Sequence, residues 1–116
     1  MTADFLAAIL DSLPDPVLVA GPDHTVCYMN RAAVAHYTQG ASLLGTSLLA
    51  CHNAQSQHMI LEIWEAMHHG LEERLIADGG KERIFMRAVR GPDGTLLGYY
   101  ERYEPKGAPR LPQEAG

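Results

Sequence analysis

Apolar residues recur at the spacing of an amphipathic helix in two stretches of the chain. The first occupies residues 1–14, and Pro14 and Pro16 end it because proline cannot continue a helical hydrogen-bond ladder. The second extends from about Ala54 to His69, and Gly70 follows where a helix commonly ends. Its apolar residues form one stripe: Ile60, Ile63, Trp64, Met67 and Leu71. Both stretches are therefore predicted to be helices that each present one apolar face.

Shorter apolar runs, separated by turn signals, predict five strands. Residues 17–20 and 25–29 flank a turn that contains proline and aspartate, and residues 71–77, 81–90 and 95–103 are separated by glycine-rich turns. Between the two groups, Asn30 can cap a short helix over 31–37, and residues 40–49 are predicted to form short helical turns. This order predicts an α+β fold, a five-stranded antiparallel sheet with helices packed on one face.

The length and the proline positions predict one domain with two flanking segments. A chain of 116 residues buries one core. We expect an N-terminal helix at 1–14, a domain at 15–104 and a disordered polar tail at 105–116. The apolar stripe of the first helix is a candidate dimer surface, because such a stripe seldom faces water. A sheet covered on one face leaves room for a cavity between the layers, where a ligand would bind.

Charge and hydropathy narrow the classes of partner. The net charge is −5 and no cluster of Lys or Arg occurs, so the chain is not expected to bind nucleic acid. The uncharged apolar runs are too short to cross a bilayer, and the first ten residues lack the basic start of a secretory signal. We therefore expect a cytoplasmic protein with no membrane partner. In that compartment Cys27 and Cys51 are expected to be thiols.

Several strings, in the order of these elements, resemble the PAS family of sensory domains. They are LPDPV at 13–17, NRAA at 30–33, LLG at 43–45 and DGTLLG at 93–98, within a resemblance that covers residues 9 to 104. The resemblance implies a signalling domain that binds a small molecule or associates as a homodimer or with a separate signalling protein. The resemblance does not indicate which ligand is bound.

A narrower resemblance is to PAS domains with a CHPxxS signature at the end of some bacterial hemerythrin-associated proteins. Cys51, His52 and Ser56 match that signature, and Asn53 replaces its proline. Glu101 falls where that group carries a glutamate in the last strand.

Eight residues are candidate ligand contacts. On a continued helix His52, Ser56, Ile60 and Ile63 would share one face toward the cavity, next to Cys51. The other three are Arg87, Tyr99 and Glu101, and the last two share a face because side chains alternate along a strand. A buried Glu101 would need a partner, for which Arg87 or His52 is expected. The alternatives are that Cys51 and His52 pack against their own loop, that Glu101 faces outward, and that the isoleucines are plain core.

Two other functions stay open. One is a haem-based gas or redox sensor with Cys51 or His52 as the axial ligand, because thiolate and imidazole both bind iron. The other is an interaction module with a filled core and no ligand. The six histidines show no zinc spacing, so no structural metal is expected, and His58 should face solvent. No catalytic motif is present, and no enzymatic activity is expected.

Overall fold

The computed structural model describes residues 1–107, except for the side chain of Cys51. Most of the predicted tail, residues 108–116, therefore lies outside the described residues. Within residues 1–107 the helices are α1 (Ala3–Ser12), α2 (Arg31–His36) and α3 (Ala54–His68), with 3-10 turns at Gly40–Leu43 and Leu48–Cys51. The strands are β1 (Val17–Ala20), β2 (Val26–Met29), β3 (Glu73–Asp78), β4 (Glu82–Arg90) and β5 (Leu96–Pro105). These elements confirm the predicted α+β class.

The five strands form one antiparallel sheet in the order β2-β1-β5-β4-β3. The N-terminal hairpin and the C-terminal three-stranded meander join along β1 and β5, where Leu18 lies opposite Glu101. On the other side of β5, Met86 lies opposite the same glutamate. The first and last strands of the chain are therefore neighbours, and β5 is the centre of the sheet.

Side chains along β5 alternate between a buried and a more exposed face, as the sequence predicts. Tyr99, Glu101 and Tyr103 are buried, whereas Tyr100 and Arg102 point to the opposite face and are only partly buried. The buried face packs against one side of α3, whose fully buried residues are Ile60, Ile63 and Met67. The predicted stripe on this helix is thus part of the core.

Helix α3 ends at His68, and the predicted glycine, Gly70, follows its C-cap. Gly70 has a φ of 104°, which L-residues rarely adopt, and its N–H donates to the carbonyl of Met67. The N–H of Leu71 donates to the carbonyl of Ala66, which completes a Schellman motif. Arg90 on β4 adds hydrogen bonds to the carbonyls of Met67 and Leu71, at 2.6 and 3.1 Å. A cation from the sheet therefore stabilises this helix end.

Helix α1 is attached to the domain through its C-terminal half and buries none of its residues. Asp11 accepts a hydrogen bond from the N–H of Arg31, and the carbonyl of Leu10 accepts one from the side chain of Asn30. Its apolar side chains stay exposed in the described part of the chain, with Phe5 and Leu6 more than half accessible. The stripe predicted from the sequence is therefore unpartnered within residues 1–107.

In residues 1–107 no helix is both long enough and apolar enough to span a bilayer. Over the same residues, no three His, Cys, Asp or Glu side chains are grouped so that they could hold a metal ion together. Cys27 on β2 is exposed and is not part of a disulfide.

Candidate functional site

A cavity of about 350 Å³ lies between the buried face of the sheet and the segment that runs from α2 to α3. Its volume is within the range of small-molecule pockets, about 300–1,000 Å³. Most of its wall is apolar and is formed by Leu18, Leu43, Leu48, Met59, Ile60, Ile76, Ala77 and Ile84. Its polar residues are Tyr37, Gln39, His52, Ser56, Glu101 and Tyr103. An apolar chamber with a few polar groups is the usual form of a ligand site.

Helix ends place three of the polar side chains at the cavity. Tyr37 is the C-cap of α2, and His52 is the C-cap of the second 3-10 turn. Ser56 lies in the first turn of α3, where its N–H donates to the side chain of Asn53, the N-cap. Asparagine accepts this bond as well as the other preferred capping residues do, so the helix begins without the proline of the CHPxxS signature.

Glu101 is the charged group of the cavity, and it is 6% exposed. Its Oε1 accepts a long hydrogen bond of 3.4 Å from the hydroxyl of Tyr37. Neither lysine nor arginine is among the described residues that line the cavity. Burial therefore raises the pKa of Glu101 to about 7, and the Tyr37 hydrogen bond only partly opposes this shift. The carboxyl group can change its charge near neutral pH.

Two tyrosine hydroxyls lie beside this carboxyl group. The hydroxyl oxygens of Tyr37 and Tyr103 are 2.6 Å apart, so one donates to the other. Burial, followed by the nearby Glu101, raises the pKa of Tyr37 far above its usual value. Burial also raises the pKa of Tyr103 to about 12. Both hydroxyls therefore stay protonated, and they can bind a ligand only through hydrogen bonds and ring contacts.

His52 is half-buried at the cavity wall. Burial lowers the pKa of its imidazole, which favours the neutral ring at neutral pH. Gln57 donates a hydrogen bond of 2.9 Å to the His52 carbonyl and holds the backbone at the start of α3. The cavity thus contains one ionisable acid and one largely neutral base.

The structure brings four of the eight predicted contact residues together at this cavity: His52, Ser56, Ile60 and Glu101. Ile63 and Tyr99 are buried nearby but do not line it, and the Tyr99 hydroxyl instead lies 2.8 Å from Nδ1 of His24. The side chain of Cys51 lies outside what is described, so its role stays a prediction. His58, expected to face solvent, has a side chain that is 75% exposed.

The expected pairing of Glu101 with Arg87 or His52 is wrong. Arg87 lies opposite Tyr100 in the β4–β5 register, so its side chain is on the other face of the sheet from Glu101. There it is 3.6 Å from Glu73, which is also held by Arg102. Tyr37 is the hydrogen-bond partner of Glu101 in the described residues. The alternative of an outward-facing Glu101 is likewise excluded by its burial.

Sequence reasoning missed several residues of the cavity, and the tyrosines matter most for its chemistry. Tyr103 lies two residues after Glu101, so strand alternation alone could have placed it on the same face. Tyr37 carries no such signal, because it comes from the end of α2 and meets β5 only in the folded chain.

The free energy of unfolding of the wild type is expected to fall as pH rises, and replacing Glu101 with glutamine should abolish this fall. The pKa of Glu101 is about 7 in the folded protein against 4.5 for a solvent-exposed glutamate, so the native state keeps a proton that the unfolded chain releases between these values. The stabilisation is complete below pH 4.5, declines as pH rises, and is absent above about pH 7. Its full size is about 3 kcal/mol. Denaturant unfolding of both proteins at about pH 5 and pH 8 measures it.

Glu73→Gln is the control for this prediction. Hydrogen bonding by Arg102 lowers the pKa of Glu73, so its contribution to stability is lost only as pH falls below the usual carboxyl range. Between pH 5 and 8 this variant should differ from wild type by a constant amount. A stability difference between Glu101→Gln and wild type that is also constant over this pH range would contradict the raised pKa of Glu101.

The sequence and the fold of this chain both resemble those of known proteins. The PAS fold profile matches residues 10–105. Among curated proteins, none matches the sequence of the chain. Solved structures similar to this chain include a C-terminal domain from Streptococcus mutans, with a TM-score of 0.77, 19% identity, and coverage of 92% of this chain and 87% of that one.

Two other similar structures come from Vibrio cholerae. A sensory box sensor histidine kinase has a TM-score of 0.61 and 13% identity, covering 90% of this chain and 91% of that one. The Aer2 receptor, described as a dual PAS-haem oxygen sensor, has a TM-score of 0.60 and 15% identity, covering 79% of this chain and 94% of that one. At these identities the likeness concerns the fold alone. Since the family profile spans nearly all of the described residues, the chain belongs to the PAS fold family.

Proposed function

We propose that this chain is a ligand-binding sensory domain whose cavity, centred on Glu101, holds a small molecule. The observation that carries the proposal is a cavity of about 350 Å³ with mostly apolar walls and one buried carboxyl group. A buried charged group with a single long hydrogen bond is costly unless a partner satisfies it. PAS domains are generally sensory and non-catalytic modules, which agrees with a binding function and no covalent chemistry.

We further propose that the domain signals by changing its association with a second copy or with another signalling protein. The exposed apolar stripe of α1 supports this output: Phe5, Leu6, Ile9 and Leu13. The helix is connected to the sheet and to α2 through Asp11 and Asn30. A ligand in the cavity would shift the population between two arrangements of this helix. The likeness of Cys51, His52, Ser56 and Glu101 to the CHPxxS-type PAS domains favours a bacterial sensory protein of that group.

Retention of a ligand tests the binding function. Freshly purified wild-type protein is expected to carry an additional mass under native mass-spectrometric conditions that is lost on denaturation. Met59→Trp, which fills the cavity from α3, should lose this mass. Leu61→Trp is the matched control, because Leu61 lies on the same helix and is 44% exposed. A wild-type protein without additional mass, whose melting temperature also responds to no member of a small-molecule library, would contradict the proposal and favour a ligand-free interaction module.

Two further measurements on the same samples separate the remaining alternatives. A Soret absorption band that is lost in His52→Ala would identify the haem-based sensor, since His52 is the described histidine at the cavity. Absence of that band after haem addition removes this alternative. Light scattering over a concentration series reports the association of α1. A monomer at every concentration would remove the dimer and leave a separate protein as the partner.

A further inference from the structure

The polar end of the cavity is rich in hydrogen-bond acceptors. Glu101 accepts one bond at Oε1 from Tyr37, and no described residue donates to its second oxygen. Within residues 1–107, every fully buried side-chain nitrogen or oxygen has a hydrogen-bond partner. Because Glu101 lines the cavity and its second oxygen has no described donor, a ligand can donate a hydrogen bond to that oxygen.

The tyrosine pair extends this acceptor surface. When Glu101 is ionised, Tyr37 uses its only hydroxyl proton for the carboxylate and must accept a hydrogen bond from Tyr103. Tyr103 then has no proton left to donate to a ligand, but it keeps a free lone pair. The carboxylate and this oxygen both require donors. A cationic group with several N–H bonds satisfies them together, and tyrosine rings also tolerate a cation well.

No fixed cation competes for this place in the described part of the chain. Arg87 and Arg102 are on the opposite face of the sheet and contact Glu73. The basic group that shares the cavity is His52, and burial keeps its imidazole largely neutral. An anionic ligand would meet neither a lysine nor an arginine among the described residues that line the cavity. The carboxyl group of Glu101 would also have to be protonated before an anion could bind beside it.

We propose that the ligand of this cavity is a small organic amine, bound with its ammonium group between Glu101 and the Tyr37–Tyr103 pair and its apolar part against α3 and β1. This inference rests on the proposed ligand-binding function and assigns the chemical class of the ligand. Leu18, Met59 and Ile60 form the apolar wall that receives the hydrocarbon part. A carboxylic acid and a neutral alcohol of the same shape are the competing classes.

Three probes of matched shape test the charge of the ligand: 2-phenylethylamine, 2-phenylethanol and 3-phenylpropionate. We expect the amine to bind at least about tenfold more tightly than the alcohol, because it gains a charge-assisted hydrogen bond. Isothermal titration calorimetry in buffers of different ionisation enthalpy also measures protons. Binding of the amine should release about half a proton near pH 7 and little near pH 8.5, since the ammonium favours the ionised carboxyl group. The other titratable groups facing Glu101 are Tyr37, Tyr99, Tyr103 and His52.

The Glu101→Gln variant provides the decisive comparison. It should lose both the preference for the amine over the alcohol and the proton release, while the alcohol still binds and so shows an intact cavity. Glu73→Gln, which removes a carboxylate from the opposite face of the sheet, should change neither. Equal binding of the amine to wild type and Glu101→Gln would overturn the inference. Tighter binding of 3-phenylpropionate with proton uptake would also overturn it and leave the binding function standing. Failure of all three probes would overturn the amine assignment, and the ligand-retention measurement decides the binding function separately.

Discussion

Asn30→Ala is expected to destabilise the domain by about 3–5 kcal/mol, because one buried side chain satisfies four backbone groups. Asn30 has no exposed surface. Its Oδ1 accepts from the N–H groups of Val17 and Ala33, both at 2.9 Å. Its Nδ2 donates to the carbonyls of Leu10 and Asp15, both at 3.0 Å. The alanine variant leaves α1, β1 and α2 without their common hydrogen-bond partner, and urea unfolding measures the loss.

Two variants control for helix capping in this experiment. Asn53 caps α3 in the same way, but its Oδ1 accepts one hydrogen bond, from the N–H of Ser56, at an exposed position. Asn53→Ala should therefore cost about 1 kcal/mol. Asn30→Asp keeps both accepted bonds but brings a carboxylate oxygen against the carbonyls of Leu10 and Asp15, so it should also be strongly destabilised. Equal losses for Asn30→Ala and Asn53→Ala would show that Asn30 is only a helix cap.

Gly98→Ala is expected to destabilise the domain by about 3 kcal/mol, at the upper end of the usual cost of overpacking. A Cβ atom at Gly98 would lie 2.3 Å from the carbonyl oxygen of Ala20. The obstacle is backbone, so no side-chain rotation relieves the contact and β1 has to move away from β5. The β1–β5 pairing also places Leu18 opposite Glu101 at the cavity. Thermal and urea unfolding measure the stability, and ligand retention should fall with it.

Gly80→Ala is the matched control, since a Cβ atom at Gly80 would meet nothing within 4 Å. Its stability should stay within about 0.5 kcal/mol of wild type. A Gly98→Ala protein as stable as Gly80→Ala would mean that the two strands can separate without cost. The close approach of β1 to β5 would then not be needed for the fold.

Local patterns in the sequence predicted most of the secondary structure. Asn30 as the cap of α2, Gly70 at the end of α3 and the apolar stripe of α3 all depend on neighbours within a few residues. The same is true of the shared face of Tyr99 and Glu101, which follows from alternation along one strand. These features were predictable because the backbone geometry of a helix or a strand determines them without knowledge of the fold.

The partners of charged groups were not predictable in this way. Arg87 and Glu101 are both on the last two strands, yet their register places them on opposite faces of the sheet. The hydrogen bond from Tyr37 to Glu101 joins residues 64 positions apart, and Arg90 reaches the end of α3 from β4. Each of these contacts depends on how the helices and strands pack together, and the periodicity of a short stretch of sequence carries no information about that packing.

The sequence by itself determined the order of elements, the α+β class and which residues share a face, since hydrophobic periodicity and capping act over short distances. Only the tertiary structure decided that Glu101 is buried beside two tyrosine hydroxyls, in a cavity that no described arginine lines. The pairing of β1 with β5 creates this environment of Glu101, because it brings the N-terminal and C-terminal strands of the domain together. Burial is a property of that packing, and it gives Glu101 its raised pKa.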